Sequence, residues 1–149
     1  MESALQAREG ISLNATKSFN VFGEPVEVLV TGEMTGGLSA TLIQTSPPGG
    51  GPPPHSHQNE DETFFVLEGE YEFLERGEWA KVLPGQAVHA PRGRVHTFRN
   101  AGITTGRILV FVAPAGMEKY LEEISVLSMP NDAARLFAIS ERYGIAFAE

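Results

Sequence analysis

Cysteine is absent from all 149 residues, so the chain has neither a disulfide framework nor thiolate ligands, and any metal it binds is held by nitrogen and oxygen. Basic residues are scarce: 11 Lys and Arg face 19 Asp and Glu, for a net charge of −8. No basic stripe interleaved with aromatics occurs, which argues against nucleic acid as a partner. No apolar run approaches the roughly 18 residues of a membrane span, so no membrane partner is expected. The first residues, MESALQAREGIS, lack the basic-then-apolar pattern of a secretion leader, and a cytoplasmic location is the expectation. A phosphate-binding loop is missing as well. Gly49-Gly50-Gly51 runs into three prolines and then histidines, with no lysine and no helical pattern behind it.

What is present reads as one domain over residues 1–149, 42% hydrophobic and 20% charged. Turn residues recur at short intervals: Gly23, Gly32, Gly36-Gly37, Pro47 to Pro54, Gly69, Arg76-Gly77, Pro84-Gly85, Pro91-Arg92-Gly93, Asn100-Ala101-Gly102 and Gly106. Between them lie strand-like segments at 26–30, 38–45, 63–67, 71–75, 80–82, 87–90, 95–99 and 108–112. Short strands at this frequency predict an all-β sandwich or barrel. After Pro114 the period changes. Met117, Tyr120, Leu121 and Ile124 recur at helical spacing, as do Ala133, Leu136, Phe137 and Ser140. Asn131 or Asp132 serves as N-cap of the second helix and Gly144 as its stop. A barrel over about 11–114 is thus followed by two helices over about 115–144, whose apolar stripes pack on the scaffold or form a lid over its mouth.

The chemistry concentrates in residues 49–69, GGGPPPHSHQNEDETFFVLEG. Residues two apart on a strand share a face about 6.6 Å apart, so His55 and His57 can both lean inward and converge on one ion at about 2.1 Å each. Glu62 shares its parity with Phe64 and Val66, which puts a carboxylate at the end of an apolar row, where a cation would relieve it. Further on, the Pro91-Arg92-Gly93 turn reverses the chain, and His96, Phe98 and Asn100 fall on one face of the next strand. Three imidazoles and one carboxylate leave up to two octahedral positions open and suit a divalent transition metal: iron, manganese, nickel, copper or zinc.

Both stretches carry a pattern that resembles the cupin superfamily. Gly49, His55, His57, Glu62 and Gly69 match the first cupin motif in type and spacing, and Gly85, Pro91, Gly93, His96 and Asn100 match the second. The flanking segments look like small single-domain cupins, some of them related to quercetin dioxygenase. The resemblance implies an antiparallel double-stranded β-helix, that is, a jelly-roll barrel with a short C-terminal helical extension. It also implies metal ligation by His55, His57, Glu62 and His96, and a homodimer paired through its sheets.

Neighbouring residues are read more plainly. Asp61 competes with Glu62, but only Glu62 lies seven residues before a glycine, and Asp61 faces solvent. Gln58, Asn59 and Glu60 read as a solvated loop, His89 as a packed or surface histidine, and Trp79 as packing. Tyr71, Phe73, Phe64, Phe98 and Phe111 read as barrel filling, and Arg92, Arg94 and Arg99 as partners of nearby carboxylates. Three functions fit. The first is a metal-dependent dioxygenase or related oxidoreductase acting on a small, partly aromatic molecule, with Glu62 doubling as base. The second is a metal-assisted isomerase or lyase, and the third a binding module without turnover.

Overall fold

Side chains alternating in and out build two antiparallel sheets. The computed structural model describes residues 14–148; the stretch read for a leader, and residues 11–13 of the expected barrel, lie outside the described residues. The strands are β1 (Lys17–Val21), β2 (Glu24–Val30), β3 (Ala40–Ser46), β4 (His55–His57), β5 (Asp61–Glu68), β6 (Tyr71–Glu75), β7 (Glu78–Val82), β8 (Ala87–Ala90), β9 (His96–Asn100), β10 (Gly106–Ala113) and β11 (Ile145–Phe147). One sheet runs β1-β2-β3-β10-β5-β8 and the other β11-β4-β9-β6-β7. Every pairing is antiparallel, as a double-stranded β-helix requires.

The central strand β10 shows why the core forms. Ile108, Val110 and Val112 point inward with no measurable exposure, each burial contributing about 1.5–3 kcal/mol. From β5, Phe64 and Val66 meet them, and Phe64 crosses to Phe73 and Phe98 of the facing sheet at ring separations of 5.2 and 5.8 Å. Phe111 does not fill the barrel. Its parity on β10 is opposite to that of its buried neighbours, and it is 41% exposed on the outer face. Trp79 is likewise exposed, covered on one face by the Arg99 guanidinium at 3.8 Å rather than packed in the core.

The glycines of both sequence motifs have a backbone reason. Gly49, Gly69, Gly85 and Gly93 all take positive φ. At Gly69 the case is doubled, because a Cβ there would sit 2.9 Å from the Gly106 Cα.

Two helices follow the barrel: α1 (Met117–Ile124) and α2 (Ala133–Arg142). Helix α1 buries Met117, Tyr120, Leu121 and Ile124 at the expected spacing. Its start is tied to the barrel by Glu118, whose carboxylate accepts the Gly116 N–H at 2.6 Å and the Gly32 N–H at 2.8 Å. Asp132 is the N-cap of α2, yet its side chain accepts from the Ser128 N–H instead of capping the helix. Phe137 stands 58% exposed, so the buried stripe of α2 reduces to Leu136 and Ser140. Beyond Gly144 the chain returns to the barrel. Strand β11 pairs with β4, setting Ile145 against His57 and Phe147 against His55. The barrel therefore does not end at Pro114. None of these helices is long and apolar enough to cross a membrane.

Candidate metal centre

The pairing register brings the histidines together. His55 of β4 lies directly opposite His96 of β9, so the two side chains share a face, and His57 follows two residues along the same strand. Ring centroids are 4.7 Å apart for His55 and His96, 5.0 Å for His55 and His57, and 5.5 Å for His57 and His96. Glu62 reaches in from the other sheet, where it lies opposite Val112. Its Oε1 is 3.2 Å from His57 Nε2 and its Oε2 is 3.0 Å from His96 Nε2. One donor atom from each of the four residues falls within 4.8 Å of every other, the arrangement that holds a single cation.

The backs of the rings are fixed as well. His55 Nδ1 donates to the Pro53 carbonyl at 2.8 Å, His96 Nδ1 to the Arg94 carbonyl at 3.1 Å, and His57 Nδ1 to Glu60 Oε1 at 2.6 Å. Each imidazole thereby presents Nε2 to the centre, the outer hydrogen bonding characteristic of ligating histidines. His57 Nε2 is buried and makes no hydrogen bond among the described residues. A buried imidazole nitrogen without a formed hydrogen bond, 3.2 Å from an equally buried carboxylate, fits the donor set of a cation site.

Electrostatics agree with that fit. Burial, reinforced by the neighbouring His57 and His96, drives His55 down to about 4, so its imidazole is neutral at ordinary pH, the form that can ligate a cation. Burial also opposes charge on His57, but Glu62 and Glu60 outweigh it and raise its pKa. Burial pushes Glu62 up, and the three imidazoles overcome this to hold it below the usual carboxylate range.

Glu60 corrects the sequence reading. Gln58 and Asn59 are exposed, but Glu60 is 6% exposed and turns back onto His57. Its signal was the three-residue spacing in a tight turn. Asp61 faces outward and pairs with Arg92, Arg94 pairs with Glu75, and Arg99 with Glu72, as expected. His89 lies on the surface against the Thr63 hydroxyl.

A cavity of about 300 Å³ opens beside this cluster, with His55, His57 and Glu62 in its lining. Phe64, Phe98, Val26 and Ile145 wall it from the barrel, and Met117, Tyr120, Leu121, Ile124 and Leu136 close it from the helices. The helical extension is thus scaffold and cavity wall at once.

The model of the Cupin domain family matches residues 42–112, from within β3 to within β10. The chain belongs to the cupin superfamily. A stretch of 72 residues, 48% of this cupin, is 28% identical to quercetin 2,3-dioxygenase of Bacillus subtilis (strain 168). That match spans only 21% of the curated relative's length. Among solved structures, KdgF from Halomonas sp. superposes with a TM-score of 0.62 at 18% identity, covering 69% of this chain and 90% of that one. A conserved protein with a double-stranded β-helix domain from Klebsiella pneumoniae gives 0.57 at 19% identity, covering 95% and 93%. These two likenesses establish the fold, and the second includes the helical extension.

Proposed function

We propose that this cupin is a metal-dependent dioxygenase or related oxidoreductase acting on a small, partly aromatic molecule. The observation that carries the reading is a mostly apolar cavity that reaches His55, His57 and Glu62 of a four-donor cluster, two donors fewer than an octahedral ion takes. The partial likeness to quercetin 2,3-dioxygenase supports it.

His55, His57, His96 and Glu62 would hold the ion. When bound, a redox-active metal supplies electron exchange with dioxygen and polarises a substrate oxygen. The chain's residues do the rest. Phe64, Phe98 and Ile145 hold an apolar substrate and exclude water at the inner end. Glu62 is the carboxylate at that end placed to accept a proton from a substrate hydroxyl. Its lowered pKa makes it a weak base, so it serves a hydroxyl that is already acidified, such as an enol. Glu60 holds His57 in the tautomer and orientation that the centre needs.

The test is anaerobic loading with iron(II), and in parallel manganese, nickel or copper, followed by flavonols or diones and measurement of oxygen uptake. Uptake in step with substrate loss, and abolished by His96→Ala, is expected. Conversion by the zinc form without oxygen uptake would replace this reading with metal-assisted isomerisation or lysis.

A further inference from the structure

The interior end of the cavity is defined by its donors; the opposite wall carries a polar group with no assignment. Gln44 sits on β3 with Val26 and Ile108 as its cross-strand partners, both buried. It shares parity with Leu42 and Ser46, which have no measurable exposure, so its side chain enters the barrel and lines the cavity.

Every other polar side chain on the wall has a task. Glu24 accepts the Gly51 N–H at 3.3 Å, the Tyr120 hydroxyl pairs with Ser140 Oγ at 2.8 Å, and His55, His57 and Glu62 belong to the cluster. Among the described residues the Gln44 carboxamide makes no hydrogen bond. An amide held against an apolar wall gains most from a ligand that pairs with it.

Two further facts limit that ligand. No lysine or arginine among the described residues lines the cavity, so a phosphate or second carboxylate finds no counter-charge beyond the metal cluster. Along β10, Gln44 is level with Ile108 and Glu62 with Val112, four residues apart. That is roughly 13 Å of strand, less the inward reach of the two side chains. A flat molecule of two or three rings bridges such a distance.

Resting on the reading of this cavity as the substrate site, we propose that Gln44 determines specificity. It hydrogen-bonds the far end of an uncharged, elongated, largely apolar ligand whose near-end oxygen meets the four-donor cluster.

The test uses zinc-loaded protein, whose redox-inert ion cannot exchange electrons with dioxygen, and two probes: 3-hydroxyflavone and its 4′-hydroxy derivative, titrated by flavone absorbance and fluorescence. Wild type is expected to prefer the hydroxylated probe about tenfold, the worth of one hydrogen bond to a half-buried amide. In Gln44→Met that ratio falls to about one. Gln44→Asn keeps the amide but shortens its reach and loses the preference too, so the result does not depend on how the wall tolerates methionine. Glucose 6-phosphate is expected to bind at least about a hundredfold more weakly than either flavone. Equal flavone affinities in wild type, a preference that survives Gln44→Met, or comparable binding of the phosphosugar would each overturn the assignment. A Gln44-dependent preference without oxygen uptake by the iron form would leave the assignment standing and sink the oxidoreductase reading alone.

Discussion

Two buried carboxylates, Glu62 and Glu118, are 2% and 5% exposed, yet they are satisfied in opposite ways. Glu118 accepts two backbone N–H groups and pins helix α1 to the turn after β2. Glu62 accepts none of these. It faces imidazole nitrogens from β4 and β9, beside an orphaned His57 Nε2. Fixed backbone donors surround the Glu118 carboxylate, whereas the groups around Glu62 are imidazoles that could themselves ligate a cation.

Substitution should separate the two most strongly. Glu62→Ala is expected to weaken metal binding roughly a thousandfold, beyond the 10–100-fold cost of losing an outer partner. Its metal-free melting temperature should move much less. Glu118→Ala should do the reverse, losing about 3 kcal/mol of stability, or roughly 10 °C in Tm, while still binding one ion. Calorimetry of both variants with and without metal would show it, and a Glu118 variant that loses metal while folded would erase the distinction.

Glu60 lies between the two, being charged, buried and one step removed from the centre. Glu60→Gln is expected to cost about 10–100-fold in metal affinity, read by competition with a chelator.

Acidity sharpens the contrast further. Without metal, the raised His57 contributes stability that is complete below 6.5 and is lost as pH rises through its folded value. The lowered Glu62 contributes stability that is complete above 4.5 and is lost as pH falls through its folded value. His55, held near 4, adds stability above 6.5 that is lost as pH falls toward 4. Metal replaces the His57 proton, so the rise in Tm on adding nickel should grow from about pH 6 to pH 8.5. A rise that shrinks over that window would mean the ion binds elsewhere.

The smallest effect concerns parity on β10. Val110→Ala should cost about 2 kcal/mol, and Phe111→Thr, on the outer face, within about 0.5 kcal/mol, both measured by urea unfolding.

Residues that act through local spacing were legible before any coordinates. His55, His57, Glu62 and His96 stand where the two motifs place them, and strands 71–75 and 87–90 match to the residue. What escaped depends on distant partners. The β11 tripeptide becomes a strand only because β4 lies beside it, and β1, with Asn20 between Phe19 and Val21, is an edge strand held by β2. Glu60 looked like an ordinary solvated acid and Glu118 drew no reading, since nothing nearby in sequence announces the imidazole or the Gly32 amide they meet. Phe111 was misread although the alternation of Ile108, Val110 and Val112 already pointed it outward.

Titration of metal-free protein with nickel(II) at pH 7.5, followed calorimetrically for wild type and His96→Ala, tests the four-donor centre most directly. One tight site per chain is expected in wild type and none in the variant. A site that survives intact in His96→Ala, or no site tighter than millimolar in wild type, would contradict it.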